Sequence, residues 1–494
     1  MVAAEGEPRS HVDVLIVGAG LSGIGAACTL QTHAPDRTWA VVEARGASGG
    51  TWDRFRFPGI RSDSDMYTLG YRFRPWVQGK SIAAGSDILS YLRETAAAYG
   101  VADRIEYHWR VLRADFNRAS ARWTVTVEHT ETGRRQVRTC GFLYLCTGYF
   151  RYDHGYTPSW PGREDFTGCV VHPQDWPADL DVDGREVVVI GSGSTAVTLI
   201  PALVAAGAHV VMLQRSPSWV MVLPTRDPLG SLLLRILSPE RASGVIRWKN
   251  MRVATALYQL CQRFPRTSGR LLRHGVRRRL PKGFDVDRHF RPTYDPWDQR
   301  LCLVPDGDFF AAISSGRAEI ATDHVESFAS DGLRLRSGRR LKADIVVTAT
   351  GLELLTLGDI ALSVDRDPVD VSERVVYKGT MLDGVPNLGF AIGYTNGTWA
   401  LKVELATDYV TRLLNFMRDR GYDEVMPLRP IQALRTTPYI EMSSGYFERG
   451  RSRLPRQGDR PPWRIHQQYP KDARLLRGPI AGPELAFRVR SGPS

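Results

Sequence analysis

Two short glycine-bearing runs carry the first chemistry in this chain. Gly18-Ala-Gly20-Leu-Ser-Gly23 follows the β-branched run 12–17, and small apolar residues continue over 24–30. Gly191-Ser-Gly193-Ser-Thr195-Ala196 follows the run 186–190 in the same way, with apolar residues over 197–206 behind it. Between a strand and a helix, the first glycine permits a tight turn and the second lets the backbone approach a pyrophosphate. The third, or the alanine that replaces it, lets helix and strand pack closely. The unpaired N–H groups of the helix start then face the phosphate oxygens. Each run predicts a dinucleotide site.

The residues just after the second strand of each unit separate the two. The run 39–42 leads into Glu43, 20 residues beyond Gly23, where a carboxylate accepts ribose hydroxyls. The run 210–213 leads instead into Gln214-Arg215-Ser216-Pro217, with no acid. An acid there would repel a 2′-phosphate, whereas Arg215 and Ser216 bind one. The first unit is read as an FAD site and the second as a site that prefers NADPH to NADH. Two such sites in one chain imply electron transfer from a nicotinamide to a tightly held flavin. The acceptor is narrowed by the cysteines. Cys28, Cys140, Cys146, Cys169, Cys261 and Cys302 include no C-x-x-C pair, which argues against a disulfide acceptor and gives no metal-ligand spacing. Oxygen, a quinone or another protein remains.

A third pattern stands just ahead of the second turn: Phe166-x-Gly168-x-x-x-His172-x-x-x-Trp176-Pro177. Taken alone, His172 reads as an ordinary loop histidine. Together the four positions resemble the fingerprint of type I Baeyer–Villiger monooxygenases. Related S/N-oxygenating flavoproteins usually carry Tyr or Phe where this chain has Trp176. Gly49-Gly50-Thr51-Trp52 resembles that family's flavin-covering segment, and Phe57-Pro-Gly-Ile-Arg61-Ser-Asp63 the stretch with its active-site aspartate. Tyr294-Asp-Pro-Trp297-Asp-Gln-Arg300-Leu-Cys302 resembles the segment with the catalytic arginine. Ala349-Thr350-Gly351 resembles the linker back to the FAD domain, and the stretch from Gly393 to Trp399 the turn beneath the flavin. The likeness runs from Asp13 to Arg464, toward the subgroup of the mycobacterial ethionamide-activating monooxygenase and the long-chain alkane-oxidising flavoproteins.

The resemblance implies that NADPH reduces FAD and that a C4a-peroxyflavin then inserts one oxygen atom from O2 into a ketone, giving an ester or lactone. Sulfides are implied as further substrates. Arg300 and Asp63 would be catalytic, with Asp63 also at the flavin beside Gly50, Thr51 and Trp52. His172 would couple domain motion to cofactor binding rather than move protons. Many family members have lysine immediately before the arginine; here it is Gln299, so NADPH preference rests more on Arg215 and Ser216. Rival readings are an S/N-oxygenase or long-chain alkane hydroxylase of the same group, and a non-enzymatic, redox-responsive flavoprotein.

To position these residues the chain must be α/β, with two Rossmann-like dinucleotide-binding domains (FAD and NADPH) and a helical insertion. With 494 residues it exceeds what one core organises. Residues 1–150 and 346–494 form the FAD domain with a surface-wrapping tail, 151–223 and 293–345 the NADPH domain, and 224–292 the insertion. The run 407–420 predicts a closing amphipathic helix. The substrate pocket is expected from the insertion and from loops around Trp297 and Leu301.

The net charge of +12 favours anionic partners. Seven arginines over 263–279, with Leu271, Leu272 and Val276 between them, read first as a solvated helix face and second as a membrane-surface helix. No aromatic platform accompanies them, which argues against nucleic acid. The polar lead before residue 12 lacks the basic region and cleavage site of a secretory signal, and no apolar run reaches the roughly 20 residues of a spanning helix. The expected setting is cytoplasmic, with a small lipophilic ketone or sulfide and O2 as the partners.

Overall fold

The computed structural model describes residues 11–430 and 432–490. The polar lead before residue 12 falls almost wholly outside them.

Alternation within short β-branched runs builds two buried sheets. The strand His11–Val17 pairs in parallel with Trp39–Val42 on one side and Arg135–Leu145 on the other. Val14 and Ile16 enter one apolar core while Leu15 and Val17 enter the opposite one. Its second half, Val14 to Val17, is buried on both faces and wholly apolar, as the interiors of parallel strands are. Leu388–Phe390 returns late in the chain to pair with Arg135–Leu145. Antiparallel strands Arg122–His129 and Trp109–Asn117 extend the same sheet.

The second sheet is wholly parallel, in the order Ala318–Thr322, His209–Gln214, Glu186–Ile190, Ile345–Thr348, Cys169–Val171. Val187 and Val189 face one core, Val188 and Ile190 another. The expected α/β class with two Rossmann-like units is therefore the fold.

Three expectations need correction. The division at 345/346 cuts into the strand Ile345–Thr348, which lies between Glu186–Ile190 and Cys169–Val171. The crossing between sheets comes instead at the turn 349–351. The closing helix runs Trp399–Arg420, beginning eight residues before the expected start. It is buried around most of its circumference, so its early turns show no polar face to read. The tail does not wrap the surface: Trp463 and Leu476 are buried in the first domain's core, and Leu485–Arg488 pairs with Glu424–Pro427.

The insertion is helical as expected, with Pro228–Ile236, Pro239–Arg263 and Pro265–Arg277 as its main elements. It touches both domains. Ala242 and Ile246 belong to the first domain's core, Val276 and Leu280 to the second's.

Candidate active site

At the first turn the backbone leaves no room for side chains. Gly18 has φ +103°, and a Cβ on it would stand 2.6 Å from the Cys146 carbonyl oxygen. A Cβ on Gly23 would lie 1.8 Å from the Gly18 carbonyl oxygen, so the helix Leu21–His33 rests directly on the turn. Glu43 is buried, and its carboxylate accepts from the amides of Ala19 (2.7 Å) and Arg45 (3.0 Å). Burial raises its pKa, which those two amides and the Arg45 charge oppose. Residues 49–52 fold over this turn: Gly49 donates to the Ala19 carbonyl at 2.9 Å, and Gly50 has φ +56°. Thr51 Oγ1 meets the Tyr152 hydroxyl at 3.0 Å.

Gly18, Gly20, Glu43, Gly50, Thr51 and Trp52 all line one cavity of about 690 Å³. Asp63 and Arg300 line it too, joined by an ion pair of 3.0 Å although 237 residues separate them in sequence. Two contacts dock the Asp63 segment on the second domain. Gly59, at φ +77°, comes so near the second dinucleotide helix that a Cβ would stand 2.8 Å from the Thr198 carbonyl oxygen. Arg61 forms an ion pair with Asp308. Burial alone would lower the Arg300 pKa, but Asp63, Tyr149, Tyr446 and Cys302 together outweigh it and the net shift is upward, so the guanidinium charge is permanent.

The second turn has Gly191 at φ +140°, where a Cβ would meet the Ala349 carbonyl oxygen at 2.3 Å. Gly193 starts the helix Ser194–Ala205 with nothing within 4 Å of the space a Cβ would fill. Ala196 is buried against the sheet, and Thr195 lines the same cavity as Gly18. The N-terminus of this helix therefore opens onto the first site. Arg215 and Ser216 are exposed at the end of His209–Gln214, and Ser192 Oγ donates to the Ser216 carbonyl at 3.0 Å. They do not line the shared cavity; they stand at the outer end of the second turn.

Comparisons with known proteins decide the family. FAD-containing monooxygenase EthA of Mycobacterium tuberculosis is 49% identical over 485 residues, spanning 98% of this chain and 99% of its own. Probable FAD-binding monooxygenase AlmA of an Acinetobacter species is 44% identical over 471 residues, spanning 95% and 94%. The chain belongs to the FAD-containing monooxygenases. A family described as flavin-binding monooxygenase-like matches residues 81–230, and an NAD(P)-binding Rossmann-like family matches 16–77. Among solved structures, oxidised steroid monooxygenase bound to NADP superposes with TM-score 0.75 at 19% identity, covering 97% of this chain and 100% of that one. An open structure of cyclohexanone monooxygenase superposes with TM-score 0.69 at 18% identity, covering 85% and 90%. At such identities the likeness is one of fold. The non-enzymatic alternative falls with the family assignment.

In this flavin monooxygenase the fingerprint residues are fixed by packing and hydrogen bonds. Phe166 is buried edge-on against Phe328 at 5.7 Å, and a Cβ on Gly168 would clash with the Phe166 ring and with the Asp344 carbonyl. The Gln174 amide donates to His172 Nδ1 (3.2 Å), which leaves Nε2 protonated toward the Gly351 carbonyl at 3.2 Å. Burial lowers the His172 pKa, which favours that neutral ring. His172 thus bonds the second domain to the turn at which the chain crosses between sheets. Trp176 is half-buried against the second core, and neighbouring Asp175 pairs with Arg54 of the first domain.

Two residues here, Gly155 and Tyr446, were not read from the sequence. A Cβ on Gly155 would fall 2.0 Å from the His172 ring, so that glycine makes room for the fingerprint histidine. Trp399, at the end of the turn expected beneath the flavin, donates from Nε1 to Ser22 Oγ at 3.0 Å, packs on Tyr149 at 4.8 Å and lines the cavity. Tyr446 lies near Phe150 and feels the charges of Arg300 and Asp63. Its segment docks where Ser443 donates to the Asp298 carbonyl at 2.9 Å. Among the described residues, none from 224–292 lines the cavity shared by the two turns, but Tyr258 of the insertion meets Trp297 edge-on at 5.7 Å.

Proposed function

We propose that this flavin monooxygenase uses NADPH and O2 to convert a lipophilic ketone into an ester or lactone. The observation that carries this reading is the Asp63–Arg300 ion pair in the cavity that the first glycine turn and the second helix N-terminus share. Both cofactors fit the residues present. Gly18, Gly20 and Gly23 with Glu43 would hold the FAD pyrophosphate and ribose, under the cover of Gly50, Thr51 and Trp52. Empty space beyond Gly193, at a helix start with no side-chain cap, suits a second pyrophosphate. Gly191 and Ala196 shape that turn, Thr195 stands at its mouth, and Arg215 with Ser216 would take the 2′-phosphate.

Bound FAD supplies the redox chemistry, accepting hydride from reduced nicotinamide and activating O2. The chain's own part is electrostatic. Arg300 presents a charge that does not titrate where negative charge would develop on oxygen, and its ion pair with Asp63 would hold its orientation. Tyr149, whose pKa burial pushes up to about 12, remains a neutral wall of the site. The same cavity would also admit a sulfide as oxygen acceptor.

Six unpaired cysteines, one exposed, support a reducing, cytoplasmic setting. No helix among the described residues is long and apolar enough to cross a membrane.

The test is product analysis with isotopically labelled O2, NADPH and a panel of linear ketones, cyclic ketones, sulfides and long alkanes. An ester or lactone with one labelled oxygen is expected. Labelled sulfoxide or alcohol, with ketones untouched, would favour the S/N-oxygenase or alkane hydroxylase reading and end this one.

A further inference from the structure

The insertion leaves an apolar face uncovered. Of the exposed large apolar side chains, most lie between residues 229 and 271. On Pro239–Arg263, Val245, Trp248, Val253 and Leu260 recur at helical spacing, with Trp248 56% exposed. Leu229, Leu232 and Ile236 form a second row on Pro228–Ile236, and Phe264 and Leu271 a third at the next helix. Soluble surfaces seldom gather so many large apolar groups without a partner.

The charge of this segment identifies the partner. Residues 228–279 contain eleven arginines and one lysine but a single acid, Glu240: a net charge of +11 against +12 for the whole chain. The other residues are almost neutral overall, so the positive field arises here. Arg241, Arg252 and Arg263 share the exposed side of the long helix with its apolar row. The Arg252 guanidinium lies over the Trp248 ring at 5.0 Å, and that of Arg263 over Phe264 at 5.8 Å. Among the described residues, neither these three nor Arg266 and Arg270 form an ion pair with a carboxylate. The opposite side of the helix is fixed to the enzyme: Arg247 donates to the Tyr67 carbonyl at 3.2 Å and pairs with Glu404, and Asn250 donates to Asp65 at 2.9 Å.

We infer that the uncovered face of 228–279 docks the enzyme on an anionic membrane surface. Apolar side chains interleaved with unpaired arginines fit the boundary between acyl chains and acidic headgroups. A second copy fits poorly, because a two-fold contact would set arginines against arginines. The side of the insertion away from the lipid holds the Asp65 segment, two residues from Asp63, so docking would bring the active site beside a reservoir of lipophilic substrate. The surface itself does not depend on which substrate is oxidised.

Flotation of the FAD-loaded enzyme with phosphatidylcholine vesicles, with and without phosphatidylglycerol, tests this. The enzyme should float only with the anionic vesicles and should leave them at high salt. Each of Arg266→Gln and Arg270→Gln should weaken binding about fivefold. The pair Trp248→Ser with Leu271→Ser should weaken it about tenfold or more, with FAD content, melting and turnover of a water-soluble substrate unchanged. Failure of the unaltered enzyme to float would overturn the proposal, as would equal flotation of the serine pair. So would light scattering that finds a dimer in solution and a monomer for the serine pair, since the face would then be a subunit interface.

Discussion

The two glycine turns share a grammar and differ in how the rest of the chain treats them. The first is enclosed. Residues 49–52 fold over it, Trp399 reaches back to Ser22, and Glu43 is buried among backbone amides. The second is open at Gly193 and ends on exposed Arg215 and Ser216. Enclosure suits a cofactor that stays through every turnover; an open, cationic end suits one that arrives and leaves. The third position makes the same point. A Cβ at Gly23 would overlap the turn at 1.8 Å, whereas the second unit already holds Ala196 there.

Substitutions at those equivalent positions give the largest expected contrast. Gly23→Ala should yield protein without bound flavin, seen as loss of its visible absorbance, because helix and turn cannot both keep their positions. Ala196→Gly should retain FAD and cost only about 1 kcal/mol, measured by chemical denaturation. Equal effects would remove the distinction drawn between the turns.

Next comes Arg300, which is proposed to serve the chemistry rather than to hold either cofactor. Arg300→Ala should keep FAD and be reduced by NADPH at the normal rate, yet lose about 10²–10³ in oxygenation rate. Stopped-flow reduction beside product yield separates the two steps. Normal ester formation by this variant would sink the assigned role.

Arg215→Glu sharpens the comparison at its outer edge. Removing a cation and adding a repelling acid should raise the KM for NADPH about 10–100-fold while NADH changes little. FAD content should not move, because Arg215 belongs to the second unit and Glu43 to the first.

The smallest effect concerns the bond between the domains. Burial favours neutral His172, so the unfolded chain takes up its proton at the ordinary value of 6.5 while the folded chain resists. This contribution is intact above that pH and is lost as the pH falls below it. Unfolding free energy should decline more steeply on acidification in the parent than in His172→Gln, whose amide still donates to Gly351. Identical pH profiles would show that the ring does not titrate with folding.

Much of this was legible because it is local. Each glycine turn lies within one strand–turn–helix unit, and Glu43 and Arg215 come directly after their strands. The fingerprint was legible by its spacing, though not the bond His172 makes, since Gly351 is 179 residues away. The start of the helix Trp399–Arg420 was misread because its first turns are buried on every side and show no amphipathic period. The tail was misread because its prolines and arginines suggest surface while Trp463 is 1% exposed.

Sequence alone determined that there are two nucleotide turns, and which is followed by an acid and which by Arg215 and Ser216. Those are properties of short segments whose backbone needs or charges do not depend on their surroundings. Only the tertiary structure decided that Asp63 and Arg300 meet, that Trp399 reaches back to Ser22, and that the insertion turns its apolar face outward. Such facts belong to pairs of surfaces far apart in the chain, and packing, not local pattern, brings them together.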